Sequence, residues 1–196
     1  MGNGLQERSG GLILVDALRI HGVERVFGVP GESYLAALDA FHDAERAIEF
    51  VICRQEGGAA YMAEAYGKLT GKPGICFVTR GPGATNASVG VHTAFQDSTP
   101  MLLFISQVAR EQTEREAFRE IDYRRMFGQM AKWVVEIEDD ARIPELVSQA
   151  FHRARQWPAG TRRHRAAGGH VDQSRDGRRY TRLQARRDLC RSAATR

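Results

Sequence analysis

Five short apolar runs recur along the first 140 residues, each separated from the next by a turn and a stretch with helical spacing. They are VERVFG (23–28), IEFVIC (48–53), ICFVT (75–79), MLLFIS (101–106) and WVVEI (133–137). Helical patterns lie at 11–22, 34–42, 55–70, from the turn at 81–86 to about Gln96, and from Ala141 to Trp157, with a shorter one at 122–127. Strands that alternate with helices in units of roughly 25–30 residues predict an α/β domain. Its sheet is expected to be mainly parallel, with helices on both faces. The punctuation agrees: Ser9 stands as a helix cap, Gly22 and the GKPG turn (71–74) as stops, and Asp139 or Asp140 caps the last helix. The charged stretch 107–120 is expected to be a loop or a mobile helix.

In parallel sheets, ligands gather beyond the carboxyl ends of the strands. Three features fall there. Val29-Pro30-Gly31 follows the first run, Glu56 the second, and Gly81-Pro82-Gly83 the third. Glu56 is the unusual one, a carboxylate between a run that reads as a buried strand and a helix of small residues, EGGAAYMAEAYG. Taken alone, it could simply be a helix N-terminal acid favoured by the dipole. It could also be a proton-sharing acid, because desolvation in a dry cleft disfavours the charged carboxylate. Gly81 and Gly83 let backbone approach a ligand, Pro82 stiffens the turn, and Asn86 can bond within it; a plain strand-to-helix turn is the simpler alternative.

Charge divides the chain. Residues 1–160 carry 17 Lys and Arg against 21 Asp and Glu, whereas 161–196 carry 11 Arg, no Lys and 3 Asp. The basic isoelectric point therefore belongs to the last stretch, and the body asks for no polyanionic partner. After Gly160 no period of 2 or 3.6 persists. That stretch reads as a disordered basic tail, a nucleic-acid arm, or an out-of-frame product of GC-rich coding sequence, and its Arg-without-Lys composition favours the last. No run of about 18 apolar residues spans a membrane, and the opening residues lack the pattern of a secretory signal. The cysteines Cys53, Cys76 and Cys190 show no metal or redox spacing, so a cytoplasmic location and no metal site are expected. The histidines likewise show no ligand spacing.

Four linked segments, GVPG (28–31), RQEGGAAYMAEAYG (54–67), TRGPGATN (79–86) and AFQDSTP (94–100), together resemble the N-terminal pyrimidine-binding domain of thiamine-diphosphate-dependent enzymes. Within those, the chain is similar to the acetolactate synthase-like group over about residues 11–160. The resemblance implies thiamine diphosphate as cofactor. It makes Glu56 the catalytic carboxylate that binds N1′ of the aminopyrimidine, and proton sharing there lets the exocyclic nitrogen take the C2 proton. The same resemblance puts Pro30, Gly31, Thr79, Pro82, Gly83 and Asn86 against the cofactor. Phe95 and Gln96 would face substrate or a second cofactor, although Phe95 could equally be a core aromatic. Arg80 and Gln55 depart from the small residue and the His common at those positions.

The family's second, diphosphate-binding domain is marked by Gly-Asp-Gly, which does not occur here. Mg²⁺ is therefore expected only with that other domain, and FAD only in an intact parent enzyme. The expected organisation is a disordered 1–10, a pyrimidine domain at 11–160 that lacks its sixth strand, and the tail 161–196. The chain is expected to be inactive alone and to work as a homodimer or with a complementing subunit, with no membrane or nucleic-acid partner. Two other classes are the alternatives: nucleic-acid binding through the tail, and a nicotinamide-dependent oxidoreductase fragment. The second lacks GxGxxG after its first strand.

Overall fold

The computed structural model describes residues 8–44 and 47–156. The Arg-rich stretch 161–196, the sixth-strand position after Gly160 and residues 1–7 lie outside the described residues. Ser9 caps the first helix, accepting the Leu12 N–H.

Four strands form one parallel sheet: β1 (Arg25–Gly28), β2 (Glu49–Ile52), β3 (Gly74–Val78) and β4 (Met101–Ile105), in the order β2-β1-β3-β4. Among the described residues six helices accompany them: α1 (Gly10–Ile20), α2 (Leu35–Asp43), α3 (Glu56–Thr70), α4 (Pro82–Asp97), α5 (Tyr123–Phe127) and α6 (Ile143–Arg155). The period-2 alternation of the strands sorts their side chains onto two faces. Val26, Phe50, Ile75, Phe77 and Phe104 meet α1, α2 and α6. Phe27, Val51, Cys76, Val78 and Leu103 meet α3, α4 and α5. On the first face, Phe77 stacks on Phe104 with ring centroids 4.7 Å apart and takes the edge of Phe41 at 5.1 Å. The predicted α/β class, with helices on both faces of a parallel sheet, is the observed one.

Burial along the sheet follows the strand order. β3 is apolar at every position and buried throughout, as a central parallel strand must be. β2 differs from its expected burial: it is an edge strand whose residues are half-buried or exposed, Ile52 being 70 % exposed. The run Trp133–Ile137 forms no strand. Val134 packs against the second cluster and Ile137 against the first, so the segment is anchored by its side chains. The apolar alternation that predicts a strand is satisfied here by burial alone, without a ladder.

Glycine sets the closest approaches between layers. A β-carbon at Gly74 would lie 1.8 Å from the Ala63 carbonyl oxygen, and one at Gly90 would lie 2.5 Å from the Ala60 β-carbon. Helices α3 and α4 therefore run side by side on one face, in the same direction, from the carboxyl ends of the strands toward their amino ends.

Candidate functional site

Strand order fixes where the site lies. From β1 the chain moves outward to β2, then crosses back over β1 to β3 and on to β4. The direction of winding reverses between β1 and β3, and the two loops leaving those strands part there to open a crevice. The Val29–Gly31 bend leaves β1, and the Thr79–Gly83 bend leaves β3. Glu56 opens α3 beyond the end of β2.

The three elements touch. A β-carbon at Gly31 would lie 2.8 Å from the Thr79 β-carbon and 3.0 Å from its Oγ1. One at Gly83 would lie 2.8 Å from Thr79 Cγ2 and 3.6 Å from Glu56 Oε1. Asn86 Nδ2 donates to Glu56 Oε2 at 3.0 Å. Gly31, Thr79, Gly83, Glu56 and Asn86 thus form one continuous cluster at the switch point. Glu56 is half-buried, and Asn86 is exposed one turn into α4. Pro30 and Pro82 stand exposed on their bends. Pro82 opens α4, where a missing N–H costs nothing. Gly81, at φ +63°, makes the turn that a residue with a β-carbon would resist.

Local sequence explains the placement of Glu56. Gln55, in extended backbone, is the N-cap of α3, and its side-chain oxygen accepts the Gly58 N–H at 2.8 Å. Gln55 thereby takes over a capping task, and Glu56 becomes the first helical residue. A carboxylate there also meets the positive end of the helix dipole. Gly57 permits the approach of α4: a β-carbon on it would lie 3.2 Å from the Asn86 carbonyl oxygen.

Phe95 and Gln96 are not brought to this cluster within one chain. They sit at the far end of α4, about 15 Å along the helix from Asn86 at 1.5 Å per residue. Both are exposed there, Phe95 at 39 %.

Several supporting residues carry no sequence signal. Ser33 shares hydrogen bonds with Thr79 Oγ1 at 2.6 Å and with Ser106, tying the first bend to the ends of β3 and β4. The Tyr34 hydroxyl donates to the Val29 carbonyl and closes the first bend. Burial pushes the Tyr34 phenol well above its ordinary range, and Cys76 and Glu56 add to the shift. The Cys76 thiol, in the sheet beneath, is pushed up to about 12, chiefly by burial and further by Cys53 and Glu56. Both groups stay neutral near pH 7. The Ser33 contacts link residues 46 and 73 positions apart, which local motifs do not reveal. Among the described residues, no three His, Cys, Asp or Glu stand together as a metal-binding group.

A parallel α/β domain with a carboxylate and two glycine-bearing bends at its switch point is a ligand-binding domain of the doubly wound class. Residues 8–126 match the family model of the thiamine pyrophosphate enzyme N-terminal TPP-binding domain, and the chain belongs to that family. Among curated relatives, it is 40 % identical over 148 residues to an acetolactate synthase of Arthrospira platensis, covering 74 % of this chain and 26 % of that protein. It is 38 % identical over 156 residues to the Bacillus subtilis acetolactate synthase, covering 80 % and 27 %. It is 36 % identical over 146 residues to the mitochondrial acetolactate synthase catalytic subunit of Saccharomyces cerevisiae, covering 74 % and 21 %. The chain spans about a quarter of the length of these relatives.

Proposed function

We propose that this chain forms the aminopyrimidine-binding part of a thiamine diphosphate site in an acetolactate synthase-like enzyme, with Glu56 as its acid. The observation that carries this reading is the Glu56–Asn86–Gly83–Thr79–Gly31 cluster at the switch point. Its groups fit the cofactor: a carboxylate can meet a ring nitrogen, and Gly31 and Gly83 let the two bends close on Thr79 beside it. When bound, thiamine diphosphate supplies the carbanion chemistry by which a 2-oxo acid loses carbon dioxide and its remainder is passed on. Glu56 holds the proton at the pyrimidine N1′, Asn86 orients the carboxylate, and the bends at Pro30-Gly31 and Pro82-Gly83 bound the ring's slot.

Half-burial of Glu56 leaves it open to water in a single chain. A second chain on the outer side of α3 and α4 would exclude that water, which supports a homodimer or a complementing subunit as the working form. The same arrangement would bring Phe95 and Gln96 of one copy toward the substrate entrance of another. Residues 11–160 make up the binding domain in this reading, and 161–196 lie outside the described residues. The free thiols of Cys53 and Cys76 fit a reducing compartment such as the cytoplasm. No helix among the described residues is long and apolar enough to cross a membrane.

The test is a thiamine titration of the full chain, followed through the backbone amides of Glu56, Gly83 and Asn86. Saturable shifts at those three positions are expected, and Glu56→Gln should abolish them while leaving the melting temperature within a degree or two. An unperturbed cluster at saturating thiamine overturns the reading. Carbon dioxide release from pyruvate, measured with thiamine diphosphate and Mg²⁺, should be at background for this chain alone.

A further inference from the structure

The bend after β3 is held from outside by a segment about 40 residues further along the chain. Gly81 is the N-cap of α4 and brings no side-chain cap of its own. Its N–H donates to the Tyr123 hydroxyl oxygen at 2.9 Å. Next door, Arg80 Nε donates to the Phe118 carbonyl at 3.1 Å. Residues 114–122 thus pass directly over the turn, and a β-carbon at Gly81 would lie 2.7 Å from that of Arg119. Glycine is required at 81 twice over, by its positive φ and by the closeness of this strap.

The strap itself is firmly shaped. Glu114, Glu116 and Arg119 all hold positive φ without being glycine, a conformation that persists only where surroundings impose it. The Glu120 carboxylate imposes it in part, accepting the Glu114 N–H at 2.7 Å and the Ala117 N–H at 3.2 Å. Gln107 Nε2 donates to the Ile121 carbonyl at 3.1 Å. Tyr123 then opens α5, which Asp122 caps, and its ring lies 6.4 Å from that of buried Phe127. The hydroxyl is thereby delivered from a rigid base to the Gly81 N–H, at a turn where Pro82 has no N–H to offer.

We propose that Tyr123 is a positioning residue for the ligand-facing bend: by accepting the Gly81 N–H it holds the turn that sets Gly83 and Asn86 against Glu56. The proposal rests on the thiamine diphosphate reading for what the bend faces, and on the structure alone for the tether. Tyr123→Phe removes the acceptor and keeps the ring packing. In the full chain it should speed exchange of the Gly81 amide about tenfold, the scale of one lost hydrogen bond, while β1 and β3 amides exchange as before. Thiamine affinity should fall several-fold with the melting temperature nearly unchanged, a combination that a purely structural role for Tyr123 would not produce.

Unchanged Gly81 exchange, or thiamine binding equal to wild type, overturns the proposal. Should Tyr123→Phe fail to fold, the wild-type chain decides: a protected Gly81 amide supports the tether and a freely exchanging one overturns it. If wild type shows no response to thiamine, the proposed function falls, and Gly81 exchange alone judges the tether.

Discussion

At the scale of single residues, the site is built from absences as much as from groups. Gly83 matters because a methyl there would press on Thr79 Cγ2 at 2.8 Å, whereas Gly58, in the first turn of α3, has only the Gln55 side-chain oxygen within 4 Å, at 3.9 Å. Gly83→Ala should therefore cost about 1–3 kcal/mol by overpacking, and Gly58→Ala should stabilise by up to about 0.5 kcal/mol through helix propensity. Chemical denaturation of the two variants side by side checks this; equal and opposite-to-expected shifts would show that the bend has slack. The linked motifs made Glu56, Gly31, Thr79, Gly83 and Asn86 legible in the sequence, because each lies within a few residues of a strand end. Ser33, Ser106 and Tyr123 were not legible. A hydroxyl acts through whatever the fold brings within 3 Å of it, and here the partner is 42 to 73 residues away.

At the scale of elements, α1 and α6 meet at a stacked histidine. His21, just after α1, stacks on Phe151 of α6 with ring centroids 4.4 Å apart and planes 7° from parallel. Burial lowers its pKa from the ordinary 6.5, and the nearby Arg155 guanidinium lowers it further. The folded chain then binds this proton less tightly than the unfolded chain, so stability is retained above about pH 6.5 and declines as pH falls below it. His21→Phe keeps the stack and should flatten the loss of stability between pH 7 and 5 relative to wild type. Arg155→Gln should flatten it less, since burial is the larger cause. Parallel pH profiles for all three proteins would remove His21 as the source. Element type was readable where apolar runs and caps coincide, as at β3 and α1. It was misread at Trp133–Ile137, since alternating apolar residues record which side chains are buried and not whether a neighbouring strand accepts the backbone.

At the scale of the whole molecule, the described residues carry two kinds of unfinished surface. The outer edge of β4 pairs with no strand among them, and such an edge offers unpaired backbone groups to another chain. The solvent side of α3 and α4 exposes Tyr61, Met62, Val89 and Phe95, each by 39–50 %, beside the half-buried Glu56. Apolar side chains spread along two helices that already pack at glycine and alanine distance give a flat, rigid surface suited to a second copy. The parallel sense of the sheet was legible in the alternation of strands and helices, whereas the small residues at 57–63 left open whether α3 packs within one chain or also against a second, because a helix of small residues looks the same whether it packs once or twice. Association through it should make the melting temperature rise by a few degrees over a roughly hundredfold increase in concentration, as mass action requires when the folded state is coupled to a dimer. Met62→Glu together with Val89→Glu places charge on both helices and should abolish that dependence while the circular dichroism of the fold is retained. Sedimentation of the wild-type chain as a single monomer, with a melting temperature indifferent to concentration, would overturn this. The surface would then be apolar for some other reason, and Glu56 would have to work, if it works, in contact with water.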